Sequence, residues 1–367
     1  MTLLLLVIAV ALIFEFINGF HDTANSVAAV VGTKVLTPNQ AILLAATMEL
    51  IGALTGTAVA TTVGKGLVEA NCVTGMTLVC ALLGATAWNL LTWRFGLPSS
   101  SSHALFGGLI GAAVASAGNN WGVVIWMAPV DGKPWYAWSG VLCKVIIPMF
   151  TSPILGFVIA LSAMVALYVA LRKGNPSRIN GVFRKLQIVS ASCMGFSHGS
   201  NDAQKTMGIL ALALFTATKA GELDHLPSWL SFLRNPEFDI PIWIKVVCAT
   251  VMAAGTASGG RRIIKTLGRK MARLHPINGF CADMTSATVL MTTATFGMPV
   301  STTHTVSTSL MGVGVARNSK AMRWDLVESI VWTWFLTLPA AGAVGYGLMR
   351  ALMWLGLAGS ASLGALK

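Results

Sequence analysis

Residues 95–103 read Phe95-Gly96-Leu97-Pro98-Ser99-Ser100-Ser101-Ser102-His103, and residues 296–304 read Phe296-Gly297-Met298-Pro299-Val300-Ser301-Thr302-Thr303-His304. The offset between the two stretches is a constant 201. A second pair, Asn18-Gly19-Phe20-His21-Asp22 and His198-Gly199-Ser200-Asn201-Asp202, recurs at an offset of 180. Two motifs repeated in the same order predict a duplicated unit. The growth of the offset from 180 to 201 predicts an insertion in the second half, and the polar stretch 218–239 is the place for it.

The surroundings of these motifs set the class. Of 367 residues, 55% are hydrophobic and 10% are charged, and the mean hydropathy is +0.72. Soluble domains carry about 25% charged residues, so most soluble enzymes, disordered chains, coiled coils and collagens are excluded. The apolar runs 3–20, 41–63, 141–171 and 324–349 are each of the order of the ~20 residues that cross a hydrocarbon core. The first has no basic n-region and is followed by Asn-Gly-Phe-His-Asp, so it is read as a retained span and not as a signal peptide. Cys72, Cys80, Cys143, Cys193, Cys248 and Cys281 lack C-x-x-C spacing and read as small buried side chains. No G-x-x-x-x-G-K-[ST] is present to drive transport with ATP.

The net charge of +12 points to cytoplasmic loops of a membrane protein before it points to nucleic acid. Three basic clusters carry much of it: Arg172, Lys173, Arg178, Arg184, Lys185; then Arg261, Arg262, Lys265, Arg269, Lys270, Arg273; then Arg317, Lys320, Arg323. Two spans joined by 218–239 separate the first two clusters. Between the second and third lie 279–295 and 303–315. The latter, about 13 residues or about 20 Å as a helix, is short for a span, which favours a re-entrant hairpin with 299–304 at its tip. Each half then crosses an odd number of times. The expected architecture is an all-α integral membrane protein of two inverted repeats with broken helices and re-entrant hairpins, about 10–12 membrane helical segments. The division is 1–172, a cytoplasmic linker 173–185, and 186–367, with both termini outside.

Ionisable groups inside spans default to function. The candidates are Glu15, Asp22, Glu49, Asp202, Lys205 and Asp283. Gly19 is expected to break the first helix, so that freed carbonyls, Asp22 and Asn25 offer hard oxygen ligands to Na⁺; the bland reading is a helix cap on a solvated loop. The hydroxyl runs Ser100–Ser102 and Ser301–Thr303 follow Pro98 and Pro299, where new helices can begin. Helix N-termini and hydroxyls from two such tips would converge on one tetrahedral oxyanion; the bland reading is N-capping and close packing. His103 and His304 end the runs at equivalent positions, as structural or proton-coupling groups. Trp88, Trp93, Trp332 and Trp334 read as interfacial anchors. Lys205 occupies the position equivalent to Asn25, where a second coupling cation would otherwise sit, or where it could touch the anion directly.

These motifs resemble the PiT family of inorganic phosphate transporters. The likeness lies in Gly19-Phe-His-Asp-Thr-Ala-Asn-Ser-Val-Ala28, in Phe196-Ser-His-Gly-Ser-Asn-Asp-Ala-Gln-Lys205, in the two Gly-x-Pro hydroxyl runs, in Gly260-Arg-Arg262 and in 287–299, from Phe14 to about Val315. The bacterial low-affinity branch is similar in also showing the Gln204-Lys205 pair. The resemblance implies an ion-coupled symporter, a homodimer in the inner membrane, importing phosphate by alternating access. It places coupling-ion roles on Asp22, Asn25, Asn201, Asp202, Glu49 and Asp283. Phosphate binding falls on Ser100, Ser101, Ser102, Ser301, Thr302, Thr303, Gln204 and Lys205. Asp283 stands where many members have glutamate. No cofactor, resident metal or nucleic acid is expected. The expected partners are phosphate, lipid, and a coupling H⁺ or Na⁺, with Mg²⁺ or another divalent metal able to travel with phosphate. The alternatives are a sulfate or other oxyanion permease of the same fold, a membrane-embedded enzyme and a channel.

Overall fold

The computed structural model describes residues 1–132, 134, 138–259, 261–270 and 274–358. The side chains of Arg261, Arg269, Lys270 and Ala321 lie outside the described residues, as do Gly260, Arg273 and Lys367. Twelve α-helices are described. The first half has α1 (Thr2–Gly32), α2 (Pro38–Ala53), α3 (Ala58–Lys65), α4 (Gly75–Phe95), α5 (Ser101–Ser116) and α6 (Ile147–Leu171). The second has α7 (Pro176–Lys219), α8 (Ile242–Ser258), α9 (Arg261–Lys265), α10 (Pro276–Thr295), α11 (Thr302–Asn318) and α12 (Trp324–Trp354).

The order is the same twice: a long helix, a bent pair, a hairpin, a long apolar helix. The α2–α3 pair bends by 72°, and Ile242–Ser258 meets Arg262–Gly268 at 61°. The run 41–63 is therefore two bent helices and not one continuous span. Local chemistry sets the ends. Thr37 and Gln40 form a capping box ahead of α2 with Pro38 in its first turn, and Thr74 and Thr77 form another ahead of α4. Asn175 caps α7. Residues 176–185 of the expected linker are the first turns of α7, whose 44 residues make about 66 Å, twice a hydrocarbon core of about 30 Å. The stretch 218–239 runs from the last turn of α7 into a loop holding a single 3₁₀ turn, Ser228–Leu233.

One expectation is overturned here. Gly19 does not break the first helix: α1 is continuous through it. A Cβ on Gly19 would stand 2.3 Å from the Met252 carbonyl oxygen of α8, and one on Gly199 would stand 2.2 Å from the Glu49 carbonyl oxygen of α2. The same crossings bring Gly255 onto Phe16 and Gly52 onto Phe196. Glycine is there so that backbones can touch. Each long central helix thus packs on the bent helix of the other half. The hairpins are exchanged likewise, α5 against α12 and α11 against α6.

Gly199→Ala is expected to force α2 and α7 apart, at about 1–3 kcal/mol of overpacking, and to lower the melting temperature in detergent. Gly347→Ala, with nothing within 4 Å of its Cβ, should leave it unchanged. Equal melting of the two variants would show that the crossing is looser than described.

The outside is apolar. Phe150, Ile154 and Val158 on α6 and Trp332, Phe335 and Leu336 on α12 are exposed, as suits helices facing hydrocarbon. Trp332 is 61% exposed, but Trp334 is buried and stacks on His304, with ring centroids 4.2 Å apart.

Candidate binding site between the hairpin tips

Each hairpin turns in the same way. α4 ends on Gly96 (φ +67°) and α10 is followed by Gly297 (φ +61°), left-handed positions that favour glycine. Proline and the next helix follow. Thr266 Oγ1 donates to the Gly96 carbonyl (2.9 Å) and Thr62 Oγ1 to the Gly297 carbonyl (2.8 Å), so the bent pair of one half holds the tip of the other.

The hydroxyl runs divide by position. Ser100 and Ser301 are N-caps, accepting from the amides of His103 (3.1 Å) and His304 (3.2 Å). For these two the capping reading holds. Helix geometry leaves the amides of Ser101, Ser102, Thr302 and Thr303 without intrahelical acceptors, beneath the positive end of each dipole.

Ser101 Oγ donates to Asp22 Oδ2 (2.6 Å), and Thr302 Oγ1 donates to Asp202 Oδ2 (3.0 Å). The third position crosses to the other half: Asn25 Nδ2 donates to Thr303 Oγ1 (2.9 Å), and Lys205 Nζ donates to Ser102 Oγ (2.5 Å). Carboxylate to own tip, position 25 or 205 to the opposite tip: the pattern repeats under the offsets of 180 and 201. All these side chains are buried. Lys205 also donates to the Val300 carbonyl (3.2 Å) and pairs with Asp202.

Glu49 reaches the cluster from α2. Its Oε1 accepts from Ser26 Oγ (2.6 Å) and faces His198 Nδ1 (2.9 Å), and its Oε2 accepts from Thr256 Oγ1 (2.5 Å). His198 Nε2 lies 3.1 Å from Asp202 Oδ2. His198 is absent from the expected site, though its i, i+4 spacing to Asp202 puts both on one helix face. His21, beside Asp22, faces its Oδ1 at 2.7 Å. One ligand atom each from Asp22, His198 and Asp202 lies within 4.8 Å of the others, a spacing that can hold a cation; Asp22 and Asp202 are expected coupling-ion residues, and His198 is the addition.

Two expected residues are placed differently. Gln204 turns to the α2–α3 bend, where its Oε1 accepts from the amides of Val59 (2.9 Å) and Ala60 (3.3 Å) and its Nε2 donates to the Ser200 carbonyl (2.6 Å). Its amide splints the bend and does not point at the tips. Asp283 accepts from Ser190 (3.3 Å), about 18 Å along α7 from Asp202 at helical rise. Asn201 is fully buried in the α7 motif with neither end of its amide hydrogen-bonded among the described residues. The rings of His103 and His304 meet edge to face, centroids 4.8 Å apart.

Residues 18–178 and 168–345 match the phosphate transporter family. A probable low-affinity inorganic phosphate transporter of Bacillus subtilis is 39% identical over 95% of this chain and 97% of its own length. One of Rhizobium meliloti is 41% identical over 93% and 94%. A putative phosphate permease of Thermococcus kodakarensis is 30% identical over 96% and 98%. The solved structure of a sodium-dependent phosphate transporter shares the fold, with a TM-score of 0.78 at 23% identity over 97% of this chain and 100% of that one. These relatives are transporters and not enzymes. With its apolar helices and duplicated hairpins, the chain is a multi-pass membrane protein and belongs to the phosphate transporter family.

Proposed function

We propose that this chain is an ion-coupled secondary transporter that imports inorganic phosphate across the inner membrane, its two halves related as inverted repeats and rocking in alternating access. The observation that carries the reading is the matched pair of hydroxyl–carboxylate contacts, Ser101–Asp22 and Thr302–Asp202, at two helix N-termini.

Those contacts suggest how coupling works. A hydroxyl has one proton to donate, and Ser101 and Thr302 give theirs to carboxylates. An anion can take those protons only when the carboxylates gain another partner. A cation at Asp22 supplies it, so the cation and the anion each raise the other's affinity, reciprocally. Charge argues the same way: the cluster gathers three carboxylates, Asp22, Glu49 and Asp202, against Lys205 and the imidazoles of His21 and His198, so an added phosphate calls for compensating cations. Lys205 fills the second-half position permanently, which leaves one exchangeable cation position, for H⁺ or Na⁺. A divalent metal would enter with phosphate as a neutral complex. Both termini lie outside and the working unit is a homodimer in this reading.

Phosphate monoanion donates a hydrogen bond and sulfate does not; carboxylates beside the anion therefore select phosphate. Purified protein in proteoliposomes should accumulate labelled phosphate against its gradient when a pH or Na⁺ gradient is imposed, with little competition from sulfate. Mere equilibration would indicate a channel, and equal competition by sulfate a general oxyanion permease; either result contradicts the proposal.

A further inference from the structure

One buried acid close to the centre belongs to neither matched pair. Glu15 lies on α1, two turns before Asp22, and is fully buried. Its equivalent under the offset of 180 is Gly195, so it exists in one half only. Asp22 faces His21, Glu49 faces His198, and Asp202 pairs with Lys205. Glu15 has no ion-pair partner among the described residues. Its Oε2 accepts from Thr206 of α7, and its Oε1 has no hydrogen-bond partner among them. Asn18, one turn along α1, turns its amide NH₂ toward the same carboxyl, and its Oδ1 is unpartnered.

A buried carboxylate oxygen without a donor carries the cost of its desolvation, and a single proton on Oε1 removes the charge that makes it costly. The titratable and charged groups facing Glu15 are Asp202 and Lys205 from α7 and Cys248 from α8. Glu15 is thus close enough to the proposed anion site for its charge to be felt there without touching it. Asp283, on α10, also lacks a cation among the described residues, but it bonds Ser190, far along α7 from Asp202.

We propose that Glu15 binds the proton that travels with phosphate. The inference rests on the reading of this chain as a phosphate importer and adds, to the exchangeable cation position between the tips at Asp22, a separate proton position two turns away on α1. One proton enters from the outside, binds Glu15 Oε1, and is released to the cytoplasm. While bound, it removes one negative charge from the neighbourhood of the incoming anion; its departure restores that charge and expels phosphate inward.

Glu15→Gln keeps the shape and stays neutral at every pH. In proteoliposomes with a pH-sensitive dye inside, the variant should retain phosphate–phosphate exchange and lose both pH-gradient-driven accumulation and the proton entry that accompanies it. Glu15→Asp should keep accumulation with a shifted pH profile. Accumulation and proton entry at wild-type level in Glu15→Gln overturn the inference. So does parallel loss of exchange and accumulation that Glu15→Asp restores with an unchanged pH profile, since that is a packing role. Wild-type uptake driven by Na⁺ with no proton entry also overturns it. Absence of any phosphate uptake or exchange by the wild type would instead remove the proposed function beneath it. If Glu15→Gln does not fold, the pH profile of Glu15→Asp decides: a shift supports the inference and an unchanged profile overturns it.

Discussion

Asp22→Asn is expected to abolish gradient-driven phosphate uptake while leaving a folded, monodisperse protein. Asparagine is nearly isosteric, and its carbonyl oxygen can still accept the Ser101 hydroxyl. What it loses is the charge that a cation must neutralise before Ser101 is released to the anion. The equivalent change in the other half behaves differently. Asp202→Asn removes the partner of Lys205, which is buried and, among the described residues, bonded otherwise only to Ser102 and the Val300 carbonyl. Leaving one member of a buried pair uncompensated costs about 3–5 kcal/mol. Asp202→Asn should therefore lose both stability and transport, and Asp22→Asn transport alone. Thermal melting beside uptake separates them. Wild-type uptake by Asp22→Asn would take this residue out of the mechanism.

The second large effect is a change of coupling. Lys205→Asn makes the second half match the first, since Asn25 holds the equivalent position and already donates to Thr303. The substitution removes a fixed positive charge beside Asp202 and opens a place for a mobile one. Uptake by Lys205→Asn should depend more steeply on external cations than wild-type uptake, and added Na⁺ should raise its melting temperature more. Unchanged pH and Na⁺ dependence would show that Lys205 does not stand in for a cation. A uniform fall in phosphate affinity at every cation concentration would assign it to the anion alone.

How much of this was legible beforehand depends on whether a feature repeats. The 201-offset turns were visible because the same requirements, a left-handed glycine, a proline and a capping hydroxyl, were written twice. Asp22 and Asp202 were visible because charge is rare in apolar helices. Gly19 was misread because sequence does not distinguish a glycine that breaks a helix from one that admits a neighbouring backbone; the Met252 carbonyl that decides it comes from the other half. Gln204 was misplaced because a long amide can reach a helix bend as easily as an anion, and the α2–α3 break was itself unseen. Trp334 was assigned to the interface by residue type, yet it covers His304. His198 could have been found from its spacing to Asp202, but its bond to Glu49 joins residues 149 positions apart. Local chemistry was readable; contacts between the halves were not.

The shared anion site between the two tips is tested most directly by a structure determined with saturating phosphate. Tetrahedral density within hydrogen-bond distance of Ser101, Ser102, Thr302 and Thr303, with the Asp22 and Asp202 carboxylates turned to a cation or proton, is the expected result. Phosphate bound away from these tips, or no phosphate there while Ser101 and Thr302 stay on their carboxylates, would contradict it.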